Sequence, residues 1–96
     1  VDLEELERAR QATRESRLHQ YDQLMRSWVS EVASMDKQSA RVANDARKEM
    51  LADLRSRQDE SIESLVKDFC RAVSKEWSSE QKQVLQSKLL NSVQDL

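Results

Sequence analysis

Two residues in this chain have side chains that could act as nucleophile and base, and they stand far apart. His19 is its only histidine and Cys70 its only cysteine. A thiol–imidazole pair needs the sulfur and a ring nitrogen within hydrogen-bond reach. On one continuous helix these residues would lie about 75 Å apart. One histidine and one cysteine also fall short of the clustered ligands a zinc site requires. The sequence therefore predicts no catalytic centre, no metal and no cofactor, and Cys70 reads as a small helix residue. The remaining chemistry is charge. Arg10, Arg14 and Arg17 recur at the spacing of one helix face, with Arg8 close by. Such a stripe suits an acidic partner, for example a filament with acidic tails such as a microtubule. Glu7 and Glu15 are placed to neutralise part of it, as on an ordinary solvated helix face.

The elements that position these residues follow from an absence. There is no glycine and no proline in 96 residues. Sharp turns draw heavily on those two residues, whereas Ala, Leu, Glu, Gln, Arg and Lys, which abound here, are good helix formers. Charged residues make up 35% of the chain and apolar residues 38%, too few to wrap a thick core. A narrow stripe buried against another helix is the form such a composition allows. The expected class is all-α, a long and nearly uninterrupted helix forming a parallel dimeric coiled coil. Fully extended, it would reach about 140 Å. The alternative is an antiparallel helical hairpin, bending near 55–61 and assembling into a four-helix bundle.

The most specific signal is a heptad seam. Leu18, Tyr21, Met25, Trp28, Val32 and Met35 alternate at spacings of three and four, and the series continues through Ser39, Val42 and Ala46. This is the repeat that lets two helices supercoil. Met50 and Leu54 then follow at spacing four, as in a stutter that unwinds the supercoil without ending the helix. Ile62, Leu65 and Phe69 carry a second apolar block. The expected dimer interface is thus Leu18, Tyr21, Met25, Trp28, Val32, Met35, Val42, Ala46, Met50, Leu54, Ile62, Leu65 and Phe69.

The chain divides accordingly into a charged arm (1–17), the main seam (18–54), a second apolar block after a polar hinge (55–77) and a last helical face (78–96). Together these form a single segment, expected to be part of a longer protein. Ser78 and Gln81 have the form of a capping box, which would start a new helix there. Val84, Leu85, Leu89, Leu90 and Val93 make an apolar face broader than a two-helix seam, as in a bundle.

A net charge of −2 gives no long-range attraction for nucleic acid, which is not expected as the partner. No apolar run approaches the length of a membrane span. The single cysteine favours an intracellular setting, cytoplasmic or nuclear. In general appearance the chain is similar to the dimerising coiled coils of cytoskeletal, kinetochore, centriolar and tethering proteins, with no motif that selects one family. The resulting expectation is a structural oligomerisation element of a scaffold-type protein. Its partner is a second copy, as a dimer or tetramer. Two alternatives stand beside it: a charged-surface module for an acidic protein or filament, and a subunit of a heteromeric helical bundle.

Overall fold

The computed structural model describes residues 2–56 and 61–94. Among these the protein is all-helical: α1 (Leu3–Met35), a short 3-10 turn (Lys37–Ser39), α2 (Ala40–Ser56), α3 (Ile62–Val73) and α4 (Ser79–Gln94). The uninterrupted rod expected from the sequence is corrected by this structure. The chain folds back on itself, and its longest dimension is 54 Å, close to the length of α1 alone at 1.5 Å per residue.

The reversal is made without glycine or proline by one aspartate. Asp36 leaves the helix with an extended backbone (φ −155°, ψ 105°). Its amide still donates to the Val32 carbonyl at 2.8 Å. Its carboxylate accepts from the Gln38 amide at 3.2 Å and from the Ser39 hydroxyl at 2.7 Å. A short acidic side chain that bonds its own neighbouring backbone offers the chain an alternative to the helical ladder. The Trp77 indole then donates to the Ser39 hydroxyl at 3.1 Å, tying the turn to the far end of α3.

Cross-helix pairs define the topology. Asp22 meets Arg47, and Leu18 lies beside Arg55 in a shared groove, so α1 and α2 run antiparallel. Trp28 binds Ser92 and Glu31 lies 3.6 Å from Lys88, so α4 is antiparallel to α1. Ser39 meets Trp77, which sets α3 antiparallel to α2. The result is an up-down-up-down arrangement of four helices of a single chain.

The turns also correct the expected boundaries. The chain reverses at 36–39, a bend the sequence did not suggest, and the antiparallel α2 and α3 reverse it again between Ser56 and Ile62, where the hairpin alternative expected its bend. Residues 57–60 of that polar hinge lie outside the described residues, between the end of α2 at Ser56 and the start of α3 at Ile62. The Ser61 hydroxyl caps α3 by accepting from the Ser64 amide at 3.2 Å. The capping box at the start of α4 forms as expected: the Gln81 amide donates to Ser78 Oγ and the Ser78 amide to Gln81 Oε1, both at 3.3 Å. Two orphan donors of the helix end are thereby satisfied.

The core runs along the interior of the bundle. Met25, Trp28, Val32, Leu65, Val66, Phe69, Leu85 and Leu89 are its largest fully buried side chains. Trp28 and Phe69 stack at a tilt, ring centroids 5.4 Å apart, a geometry that suits the aromatic quadrupoles. The indole N–H of Trp28 donates to Ser92 Oγ at 3.1 Å, so its one polar atom is satisfied inside.

Candidate functional site

The seam residues are accounted for within one chain. Met25, Trp28, Val32, Ala46, Leu54, Leu65 and Phe69 are buried, and Leu18, Tyr21, Met35, Met50 and Ile62 pack around them. Val42 departs from the expected seam and is 47% exposed. The break at Asp36 resets the direction of the chain, and Ala43 takes the inward place beside Ala46. Sequence reasoning placed Val42 inside because it carried one heptad phase through the turn.

The arm behaves differently. Every residue from Asp2 to Arg17 is exposed, yet the segment is helical from Leu3 and capped by Asp2, whose carboxylate accepts from the Glu4 amide at 3.2 Å. Isolated helices this short are marginal in water; here the arm propagates from the packed half of α1. Residues three and four apart share a helix face. The stripe that buries Tyr21, Met25 and Trp28 in the bundle therefore continues outward as Arg17, Arg14, Arg10, Leu6 and Leu3. Beyond the bundle it is uncovered, with Leu3 77% exposed. Arg8 lies 3.9 Å from Glu4, whereas Arg10, Arg14 and Arg17 form no ion pair with a described residue. A groove of about 430 Å³ at the base of the arm is lined by Glu7, Arg10, Gln11, Arg14, Glu15, Leu18 and Arg55.

A second basic feature was not picked out by sequence reasoning. Lys67, Arg71 and Lys75 from α3 and the turn after it face Lys82 and Gln86 of α4 across a groove of about 500 Å³, with Cys70 and Ser74 also lining it. The four-residue spacing of Lys67, Arg71 and Lys75 was visible in the sequence. That Lys82 joins them depends on α4 folding back along α3. Arg47, which the sequence sets beside Lys48, behaves otherwise and is drawn into the bundle, as described next.

Arg47 is 8% exposed. It donates through Nη1 to Asp22 Oδ1 and through Nε to Asn44 Oδ1 at 3.1 Å. Asp22 also accepts from Arg26 Nε at 3.2 Å. Burial alone would raise the Asp22 pKa, but the hydrogen bonds and charges of Arg26 and Arg47 outweigh it and hold the carboxyl below its ordinary value. This cluster fixes the α1–α2 register. It pairs one helix with the other through a buried ion pair.

Cys70 is buried, and desolvation pushes its thiol up to about 11. His19 is exposed. Cations stand around the groove that Cys70 lines, but its thiol lacks the exposure of a reactive cysteine, and desolvation outweighs them. Alkylation by iodoacetamide at neutral pH is expected to proceed only as fast as the bundle opens, and to become rapid in denaturant; mass spectrometry reads both rates. Among the described residues there is no group of three His, Cys, Asp or Glu that could hold a metal, and no helix long and apolar enough to cross a membrane. Comparison with known protein families, curated proteins and solved structures finds no match for this chain.

Proposed function

We propose that this chain is a structural, non-catalytic assembly element, the helical part through which a scaffold-type protein is joined to other chains. The observation that carries this reading is the arm: residues 3–17 form regular helix with no tertiary cover, and Leu3 and Leu6 stay in water on the very stripe that is buried further along. A helix half with an uncovered apolar tip is completed by another chain. Light scattering and sedimentation over a wide concentration range test the reading. The expected result is a mass above that of the monomer. A monomer persisting to high micromolar concentration would sink it.

A second reading, docking of an acidic protein or filament, is favoured by Arg10, Arg14 and Arg17 standing unpaired among the described residues and by the four cations around the α3–α4 groove. Two arms laid against each other would oppose arginine to arginine, so the arm itself suits an acidic surface better than a second arm. Changing Arg10, Arg14 and Arg17 to Glu is expected to weaken binding to polyglutamate at low salt at least tenfold while leaving helicity intact. Binding by the variant equal to that of the original chain would refute it.

A further inference from the structure

The turn that closes the hairpin interrupts a face that is otherwise continuous. At 100° per residue, Met25, Trp28 and Val32 of α1 and Ala43, Ala46 and Leu54 of α2 fall on one side of a single straight helix. Val32 and Ala43 are separated by about three full turns. The residues that α1 and α2 bury in the hairpin would therefore still share a face if the helix ran unbroken through 36–39. Nothing in that segment forbids it: Met35, Asp36, Lys37, Gln38 and Ser39 include no glycine or proline. No residue of the described backbone has a positive φ, so the turn itself does not demand glycine. The closed form is held there by the side-chain bonds of Asp36 to Gln38 and Ser39 and of Trp77 to Ser39, beside the 3-10 backbone bonds from the Ser39 amide to the Asp36 carbonyl and from the Ala40 amide to the Lys37 carbonyl. Each is worth about 1 kcal/mol net, and straightening the turn regains helical backbone bonds in exchange.

We propose that two copies of this chain exchange α1 reciprocally, each straightening 36–39 so that α1 and α2 become one helix and α1 packs on α2–α4 of the second copy. This rests on the assembly reading above and specifies where the copies join. Exchange reproduces the same core between chains that the hairpin makes within one, which is why it is a low-cost route to a dimer. The second copy is the occupant because the seam it must match is this chain's own: Asp22 finds an Arg47, and Trp28 finds a Phe69 and a Ser92, only in an identical chain. Leu3–Ser56 as one helix spans about 80 Å, against the present 54 Å overall. The two exchanged helices run antiparallel, so their arms emerge at opposite ends. The dimer becomes a bridge with two docking arms.

Two substitutions pull the equilibrium in opposite directions. Lys37→Pro fits the closed turn: Asp36 before it is already extended, as a residue preceding proline must be, and position 37 opens the 3-10 turn. In a continuous helix the same proline would clash with the Ala33 carbonyl and remove a hydrogen bond. Asp36→Ala deletes the turn's bonds and supplies the best helix former. Size-exclusion chromatography with light scattering and small-angle X-ray scattering read the outcome, and circular dichroism reports folding of each variant. The expected result is a dimer whose dissociation constant falls at least tenfold in Asp36→Ala, with a maximum dimension above about 80 Å, and a monomer at every concentration for Lys37→Pro. A folded Lys37→Pro chain that dimerises like the original overturns the exchange while leaving the assembly reading standing. An original chain that stays monomeric overturns both the assembly reading and the exchange.

Discussion

Replacing Trp28 with alanine is expected to lower the stability of the bundle by about 3–5 kcal/mol. Trp28 has no exposure to solvent, stacks on Phe69 and satisfies its indole N–H on Ser92. It therefore touches α3 and α4 from α1 at once. Truncation removes the largest side chain of the core, leaves a cavity between three helices and strips Ser92 of a partner. Domains of this size hold only about 5–15 kcal/mol in total, so the variant should populate unfolded chain at room temperature. Urea titration followed by circular dichroism checks this: the midpoint should fall steeply, with little change in slope if the transition stays two-state. A loss below about 1 kcal/mol would mean that the tryptophan is not enclosed as described. Trp77 provides the internal control. It is only partly buried, and its substitution should cost less while loosening the turn at Ser39.

The second large effect concerns Asp22. Asp22→Ala leaves the Arg47 guanidinium 8% exposed with Asn44 as its remaining partner, and the expected loss is roughly 1.5–3 kcal/mol, the worth of hydrogen bonds to a charged group. Replacing both partners, Asp22→Leu with Arg47→Met, should restore most of it, because removing a buried pair together also removes its desolvation cost. A double-mutant cycle by urea titration separates the two. A loss in the double variant equal to the sum of the two single losses would show that the pair is not coupled. The pH dependence has a definite sign. The folded Asp22 carboxyl titrates below its ordinary value because the bonds and charges of Arg26 and Arg47 overcome the opposing effect of burial. Its contribution is complete above the unfolded pKa, near 4, and is lost as pH falls through the folded value. Asp22→Asn should therefore lack part of the acid-side decline seen in the original chain, while the two converge at the lowest pH.

Exposed pairs are expected to matter far less. Arg8 with Glu4 and Lys88 with Glu31 lie at 3.9 and 3.6 Å with both side chains in solvent, where ion pairs contribute little. The α1–α4 contact is thus held by Trp28, Leu85 and Leu89, and only decorated by Lys88.

Much of this protein is decided locally and can be read without the fold. Helix-forming residues and missing breakers determine that the described chain is helical. The three–four spacing of Met25, Trp28 and Val32 determines which face of α1 is buried, because side-chain direction on a helix depends on sequence position alone. The Ser78–Gln81 box determines where α4 starts, since both partners lie within one turn. The arm's exposure was foreshadowed by its thin apolar stripe, in which Arg10, Arg14 and Arg17 occupy the places that Tyr21, Met25 and Trp28 take further on.

Other features belong to the tertiary structure. A seam of this kind is satisfied equally by a second chain or by the same chain folded back, because both present the same apolar stripe to it. The choice turns on Asp36, whose carboxylate bonds are worth little in an isolated peptide and gain weight only when Ser39 is also held by Trp77, distant in sequence. Arg47 reads as a surface base beside Asp45 and Glu49 until the hairpin brings Asp22 against it. The basic groove exists only because α4 returns along α3 and sets Lys82 opposite Lys67, Arg71 and Lys75. Helical period is a property of neighbours along the chain; which stripes meet is a property of packing.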